Sequence, residues 1–312
     1  MSDAKLLAAV LSASMVLGIA GPSQVAPERA PAKVVLLGTG TPAATPDRSG
    51  PATAVVVNDT AYLVDFGPGV VRRASAAATA RAISALQPTR LRVAFATHLH
   101  SDHTVGYPDL IFSPWTLGRR DPLEVYGPAG LSAMTTHLLE AYRADVETRT
   151  NPEGNQRTFP DGYKVNAHEI TAGPVYKDAN VVVTAFATKH AMESYGYRFD
   201  TPGRSIVISG DTNPTQATID ACRGCDVLIH EVHTAAWLDA RPEAGGAPAG
   251  TFRRFSEKYH TTTEQLAELA RQAKPKLLIL YHYNSLSPEE LQADMMKRYA
   301  GHFVIGRDLD VF

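Results

Sequence analysis

Residues 97–103 read Thr-His-Leu-His-Ser-Asp-His, and this stretch decides the interpretation of the chain. It follows an apolar segment that is predicted to be a β-strand. Side chains at positions i and i+2 of an extended chain project to one side, so His98 and His100 can contact the same metal ion. A turn followed by a helix start would bring Asp102 and His103 to a second point nearby. Imidazole and carboxylate groups suit zinc, so the stretch predicts a metal site that needs no cysteine.

Three more candidate ligands stand at the ends of other apolar segments. His190, Asp211 and His282 each follow a predicted strand. Polar side chains at the carboxyl ends of strands are where active sites collect in layered α/β folds. A single histidine beside a strand is more often a structural residue. Taken together with the first stretch, the three residues supply the additional ligands that a metal site requires.

The remaining pattern predicts an α/β fold with mixed sheets covered by helices. No Pro/Gly/Ser-rich segment interrupts residues 33–312, so we expect one domain there. Strands are predicted at residues 34–37, 54–58, 61–65, 91–97, 164–170, 180–188, 205–209, 226–230 and 277–281, and helices at 131–145, 262–272 and 288–299.

The N-terminal segment has the pattern of an export signal. Residues 6–20 are apolar or small, Lys5 precedes them, and Gly18 and Ala20 suit a cleavage site. We therefore expect a signal peptide over residues 1–20, a linker over 21–32, and a periplasmic or secreted protein without stable membrane insertion after cleavage. A membrane span and an N-terminal helix are the alternatives, although the run is short for a span.

Composition excludes several classes of protein. The 312 residues are 44% hydrophobic and 20% charged, which excludes disorder and coiled coil as the main architecture. The net charge of −2 provides no basic field for nucleic acid. Cys222 and Cys225 are the two cysteines, and either a local disulfide or two free thiols is compatible with their spacing. The pair Arg119-Arg120 has the pattern of solvated surface.

Several motifs of this chain resemble those of the metallo-β-lactamase superfamily and occur in the same order. The branch with ribonuclease Z, arylsulfatases and phosphodiesterases is the most similar. The resemblance implies an αβ/βα sandwich, with two mixed sheets face to face and helices outside. Besides residues 97–103, its motifs are LGTGTP at 37–42 with Arg48, VDFGPG at 64–69, HAMESYGYRF at 190–199, ISGDT at 208–212, LIHEV at 228–232 and HTTTEQLAELA at 260–270.

The same resemblance implies a binuclear metal centre. It assigns two Zn²⁺ ions, with manganese and iron as alternatives, and an activated water shared between them as the nucleophile. Asp211 would bridge the ions, and Asp102 would also accept a proton from the attacking water. One ion would be held by His98, His100 and His190, and the other by Asp102, His103 and His282.

The resemblance also implies three supporting residues. His260 would act as the general acid that protonates the leaving oxygen, and Glu231 would hold its tautomer. Asp65 would orient a ligand histidine. The alternatives are a helix-terminal residue without chemistry for His260 and a turn cap for Asp65.

The substrate expected from these observations is a small anionic ester, either a sulfate ester or a phosphodiester. Ribonuclease Z carries a flexible arm for transfer RNA, and in the bacterial form this arm lies between the third histidine and the bridging aspartate. Here 21 positions separate His190 from Asp211, which leaves no room for an arm. The expected export and the net charge also argue against nucleic acid. The alternatives are a ribonuclease Z-type endoribonuclease for transfer RNA 3′ ends, a lactonase or β-lactamase, and a non-catalytic metal-binding protein.

Two questions about the architecture stay open from sequence alone. The aromatic residues Trp115, Tyr126, Tyr142 and Tyr176 could form a wall for an apolar leaving group or belong to the core. The chain could act as a monomer or as a homodimer.

Overall fold

The computed structural model describes residues 32–153, 159–241 and 248–312. The expected signal peptide (1–20) and all but the last residue of the expected linker (21–32) lie outside these ranges. Within them, no helix combines the length and the apolar character needed to cross a bilayer.

The first half of the described chain builds a mixed sheet with the strand order β1-β2-β3-β4-β5-β6. Strands β1 to β3 are antiparallel, and β3 to β6 run parallel. The elements are β1 (Lys33–Gly38), β2 (Ala52–Val57), β3 (Thr60–Val64), α1 (Val70–Ala80), β4 (Val93–Phe95), α2 (Ser101–Thr104), α3 (Tyr107–Thr116), β5 (Leu123–Gly127), α4 (Leu131–Ala141), α5 (Arg143–Thr150) and β6 (Val165–Glu169).

The second half builds another mixed sheet, in the order β13-β12-β11-β10-β9-β8-β7. Strands β7 to β10 are antiparallel, and β10 to β13 run parallel. The elements are β7 (Gly173–Lys177), β8 (Val182–Ala187), β9 (Tyr195–Asp200), β10 (Ser205–Ile208), α6 (Gln216–Cys222), β11 (Val227–His233), α7 (Ala235–Ala240), α8 (Thr251–Tyr259), α9 (Thr263–Ala273), β12 (Leu277–Asn284), α10 (Pro288–Arg298) and β13 (Phe303–Ile305).

The alternation of side chains along the strands sets the layers. In β1, Val34 and Leu36 enter the core between the two sheets, whereas Val35 and Leu37 enter the core beneath the helices of the first half. Successive strand residues point to opposite faces, so strands that are apolar on both faces must be covered on both. The expected sandwich of two mixed sheets with helices outside is confirmed.

The second sheet follows the same rule on its outer face. Leu228 of β11 and Leu278 of β12 pack with Leu266 of α9 in a third core. Helix α9 begins with a capping box, in which Thr262 and Gln265 each bond the other's backbone N–H. Its position agrees with the helix predicted at residues 262–272.

One predicted helix is divided into two in the structure. The helix expected over 131–145 is divided at Tyr142, whose backbone leaves the helical region between α4 and α5.

The structure answers the open question about the four aromatic residues. Trp115 is fully buried, Tyr126 and Tyr176 pack around Phe95, and Tyr142 stacks on Phe112. These residues pack with the core and do not build a wall at the metal site.

The surface interpretation of Arg119 was wrong. Its side chain is fully buried, and the guanidinium donates hydrogen bonds to four backbone carbonyls. Sequence neighbours on either side gave no sign of this, because the acceptors come from segments far apart in the chain. They are the carbonyls of Leu91, Leu110, Ile111 and Gly162.

Cys222 and Cys225 are bonded to each other in a buried disulfide. The bond closes the turn that follows α6, where Arg223 and Gly224 both have positive φ. Of the two alternatives left open by the spacing, the structure contains the disulfide.

Candidate metal centre

Three histidines from both halves of the chain meet at one point. His98 and His100 follow β4, and His190 follows β8. His98 Nε2 lies 2.9 Å from His100 Nδ1, and His190 Nε2 lies 3.0 Å from the same atom. Burial lowers the pKa of His98 well below its usual value and that of His190 to about 4. Neutral imidazoles keep a lone pair, so the three can hold one cation.

A second group lies beside the first and contains a carboxylate. One ligand atom from each of Asp102, His103 and His282 lies within 4.8 Å of the others. Asp102 Oδ2 is 3.6 Å from His103 Nε2 and 3.7 Å from His282 Nε2. Burial lowers the pKa of His103, but Asp211 and Asp65 outweigh burial and raise it well above its usual value. The position therefore favours a positive charge.

Asp211 lies between the two groups. Its Oδ1 is 3.3 Å from both His103 Nε2 and His282 Nε2. Burial opposes ionisation of Asp211, but His282 and His103 hold its pKa well below the usual range. Gly210 places this carboxylate with φ +61°, and a Cβ there would lie 2.7 Å from Thr97. Only glycine fits this strand end without displacing its neighbour.

In four of the histidines, Nδ1 contacts a hydrogen-bond acceptor, and Nε2 is therefore directed at the metal cluster. Such partners set the tautomer and orientation of metal-binding imidazoles. The Nδ1 donors and their acceptors are His98 with Thr97 Oγ1 (3.0 Å), His103 with Asp65 Oδ2 (2.8 Å), His190 with Tyr259 O (3.2 Å) and His282 with Gly40 O (2.5 Å).

Two of these acceptors explain motifs at the start of the chain. Asp65, which follows β3 with φ +60°, also accepts hydrogen bonds from the backbone and side chain of Thr97. Gly40 belongs to the LGTGTP segment, and its N–H donates to Ser49 O. Each of the two motifs therefore supplies a hydrogen-bond acceptor to a candidate ligand histidine.

His282 is presented by a β-bulge. The pairing of β11 with β12 shifts between Glu231–Tyr281 and Val232–Tyr283, so His282 is the extra residue. Its φ of +46° is uncommon for a residue with a Cβ. A bulge redirects one side chain out of the strand alternation, and bulges are frequent next to active sites.

These residues fit a pair of divalent cations. Asp102 Oδ2, His103 Nε2 and Asp211 Oδ1 are buried, and none has a partner with hydrogen-bond geometry among the described residues. Buried polar atoms without partners are costly, so three that converge on one point indicate a missing positive partner. All seven ligands expected from the sequence lie in this cluster.

His260 and Glu231 form a pair at the edge of the cluster. His260 Nδ1 is 2.9 Å from Glu231 Oε1, and Glu231 also accepts a hydrogen bond from Thr212 N. Burial lowers the pKa of His260, but the Glu231 carboxylate outweighs burial and raises it to about 9. At neutral pH the imidazole is therefore protonated and able to donate a proton.

The cluster opens into a cavity of about 390 Å³ whose far side is aromatic. Trp237 of α7 and Phe252 and Phe255 of α8, here called the aromatic wall, line this side together with Arg241 and His233. The sequence interpretation missed the wall. The spacing of Phe252, Phe255 and Tyr259 on one helix face was the available signal.

Comparison with known proteins agrees with this fold. The model of the β-lactamase superfamily domain matches residues 60–283. Ribonuclease Z of Mycobacterium bovis (strain BCG / Pasteur 1173P2) is 30% identical over 288 residues, which cover 89% of this chain and 96% of that protein. Ribonuclease Z of Mycobacterium sp. (strain KMS) is 33% identical over 277 residues, with 87% and 90% covered.

Solved structures show the same fold. The short form of human tRNase Z superposes with a TM-score of 0.64 at 22% identity, covering 90% of this chain and 98% of that one. The metallo-β-lactamase fold protein YhfI from Bacillus subtilis gives a TM-score of 0.65 at 17% identity, with 91% and 100% covered. A two-sheet fold with a His/Asp cluster at the strand ends defines the metallo-hydrolase class. Within that class, the chain belongs to the metallo-β-lactamase superfamily, in its ribonuclease Z branch.

The relatives correct two expectations about the substrate. A small sulfate ester or phosphodiester was wrong as the main interpretation, since ribonuclease Z proteins match across nearly the whole described chain. The argument against nucleic acid was wrong for the same reason. Net charge is an average over the molecule, whereas phosphates are bound by local groups.

Proposed function

We propose that this protein is a metal-dependent endoribonuclease of the ribonuclease Z type, which cleaves a phosphodiester near the 3′ end of precursor transfer RNA. The observation that carries the proposal is the convergence of seven His and Asp ligands beside the His260–Glu231 pair. The ribonuclease Z relatives at 30 to 33% identity support RNA as the substrate class.

The proposed roles follow from position. Two bound divalent ions would stabilise the charge of the phosphate and activate the attacking water. His260, protonated and held by Glu231, donates its proton to the leaving oxygen. Asp102 is half-buried at the cavity and accepts a proton from the water. Glu231 fixes which nitrogen of His260 faces the cavity.

Zinc is the proposed metal. Five imidazoles and two carboxylates with fixed orientations match its preference for nitrogen and oxygen ligands. Manganese and iron bind similar sets, so the metal content of the purified protein decides the matter.

The test uses the full chain loaded with zinc and a precursor transfer RNA that carries a 3′ trailer. We expect cleavage at one position 3′ of the acceptor stem, together with two zinc ions per chain. His98→Ala should lose metal and cleavage together. His137→Ala is the matched control, because that histidine side chain is 78% exposed. An uncleaved precursor in the presence of fully loaded wild-type protein would overturn the proposal.

Export is proposed separately. The apolar residues 6–20 support it, and so does the Cys222–Cys225 disulfide, since disulfides persist mainly in oxidising compartments. Cell fractionation should find the chain outside the cytoplasm, and deletion of residues 2–20 should retain it inside. A full-length chain found in the cytoplasm would contradict export. A chain found only outside the cytoplasm would contradict precursor transfer RNA as the natural substrate, because that RNA lies inside the cell, and would leave the metal-dependent chemistry unaffected.

A further inference from the structure

The aromatic wall lies outside the hydrophobic cores. None of Trp237, Phe252 and Phe255 belongs to the three core clusters of the described residues. All three rings are only partly buried, whereas Trp115 is fully buried. The Trp237 and Phe252 ring centroids are 5.9 Å apart, with the planes at 74°. Packing of the fold does not account for three aromatic rings that face a cavity.

The wall begins next to the reacting groups. The Phe255 ring lies 5.7 Å from the His260 ring and 6.5 Å from the His190 ring, centroid to centroid. The same cavity is lined by Asp102 and Asp211 on its other side. A ligand whose phosphate lies at the metal cluster therefore places its neighbouring group against the wall.

Polar groups accompany the rings. The Arg241 guanidinium lies 4.1 Å from the centroid of Phe252 and 5.0 Å from that of Trp237. His233 is buried beside Trp237, with the two ring centroids 6.2 Å apart. Its Nε2 lies 3.4 Å from Ser256 Oγ, whereas its Nδ1 is buried without a hydrogen-bond partner among the described residues; the residue lines the cavity. A ligand here meets flat apolar faces and a polar edge together.

We propose that this cavity binds one unpaired nucleobase, that of a nucleotide adjacent to the scissile phosphate. The base stacks against the aromatic wall and bonds His233 through its edge. A nucleobase has a flat π-face and a polar edge, and proteins recognise unpaired bases in RNA by this combination. An aliphatic group would use neither feature. The proposal rests on the proposed function, because it names the part of the RNA that the same site holds.

The first test measures binding without turnover. The chain has two tryptophans, and Trp237 is the one at the cavity. With zinc-loaded protein, we expect adenosine 5′-monophosphate to quench tryptophan fluorescence in a saturable manner and to bind at least 10-fold more tightly than ribose 5-phosphate. Phe255→Ala should weaken nucleotide binding about 10-fold, the loss expected for one stacked base. Equal affinity for the two ligands, or an unchanged Phe255→Ala, would overturn the proposal.

The second test uses RNA with an abasic residue on either the 5′ or the 3′ side of the scissile phosphate. For one of the two, wild-type kcat/KM should fall about 10- to 100-fold. Phe255→Ala should lose a similar factor on intact RNA and lose little more on that abasic RNA. If the loss from Phe255→Ala and the loss from the abasic residue multiply for both RNAs, the ring and the base do not contact each other. Tyr142→Ala is the matched control, because this ring is 41% exposed, stacks on Phe112 and does not line the cavity. It should lower stability slightly and leave kcat/KM on both RNAs at the wild-type value.

The two tests separate this proposal from the proposed function. Nucleotide binding at the wall without cleavage of any RNA would overturn the ribonuclease activity and support the base site. Cleavage of RNA without discrimination between nucleotide and ribose phosphate would support the activity and overturn the base site.

Discussion

His260 illustrates how one side chain acquires its role from its neighbours. Glu231 lies 2.9 Å from its Nδ1 and Asp211 Oδ2 lies 3.9 Å away, so two carboxylates favour the imidazolium. The histidine motif at 260 was visible in the sequence, but its protonation depends on carboxylates that are 29 and 49 positions distant. The role as general acid stays a prediction.

We expect His260→Ala to lower kcat by about 10²- to 10⁴-fold, the usual contribution of a general acid. Two zinc ions should remain bound, because the seven expected ligands are all retained when His260 is replaced. The loss should be much smaller on an aryl phosphodiester, whose leaving oxygen needs no proton. Equal losses on RNA and on the aryl ester would contradict the acid role.

At the scale of elements, Arg119 connects segments that strand pairing does not connect. Its guanidinium bonds carbonyls of α3, of the turn near Gly162 and of the segment before β4. Burial lowers its pKa to about 10, so the group stays charged at neutral pH. The charge is tolerated because carbonyl dipoles replace water.

Arg119→Met is therefore expected to destabilise the fold by about 3 to 5 kcal/mol, since it leaves several buried carbonyls without a donor. Arg120→Met is the matched control. Arg120 is exposed and lies over the Phe159 ring, so its replacement should cost less than about 1 kcal/mol. Urea unfolding of the two variants gives the comparison. Similar losses for both would refute the assigned role of Arg119.

Asp226 connects the N-terminal ends of three parallel strands, β10, β11 and β12. It accepts hydrogen bonds from Ser205 N and Oγ, at 2.8 and 2.9 Å, and from Lys276 Nζ at 2.7 Å. Burial raises its pKa, but Lys276 and Ser205 outweigh burial and lower it to about 2. The carboxylate therefore contributes stability above its unfolded pKa of about 3.9, and loses that contribution as the pH falls towards 2.

Asp226→Asn should lower the free energy of unfolding at pH 7 by about 1 kcal/mol, after allowance for solvent screening. The difference from wild type should shrink as the pH falls from 4 towards 2. Asp220→Asn, which alters an exposed pair with Arg223, is the control and should matter much less. A difference that does not depend on pH would show that the ionised form of Asp226 is not what stabilises the strands.

At the scale of the whole molecule, the metal cluster joins the two sheets. His98 follows β4 and His103 lies in α2, both in the first half of the chain. The second half contributes three residues, after β8, after β10 and within β12: His190, Asp211 and His282. Bound ions would therefore add a connection between two halves that already meet at this edge through apolar packing and through hydrogen bonds such as that from Tyr197 Oη to Ala96 O. Any ligand that binds only the folded state stabilises that state by mass action.

Removal of metal by a chelator should lower Tm by roughly 5 to 10 °C. This corresponds to about 2.7 kcal/mol for an ion present at 100 times its Kd. Addition of zinc should restore the original Tm. In His98→Ala, the rise in Tm on addition of zinc should be at most half of the rise seen in wild type. An unchanged Tm in protein shown by elemental analysis to have lost its metal would contradict the role of the ions as a connection between sheets.

The fold class and the seven candidate metal ligands could be predicted from the sequence, and the structure brings these seven residues together. Both are carried by local patterns: strand alternation specifies which faces must be covered, and the ligands follow directly after apolar strands. His98, His100 and His103 lie within six residues, so even their mutual proximity was readable. The tertiary structure decided what depends on distant surfaces meeting. Arg119 is buried because carbonyls from three segments surround it, and the aromatic wall exists because α7 and α8 fold over the cavity.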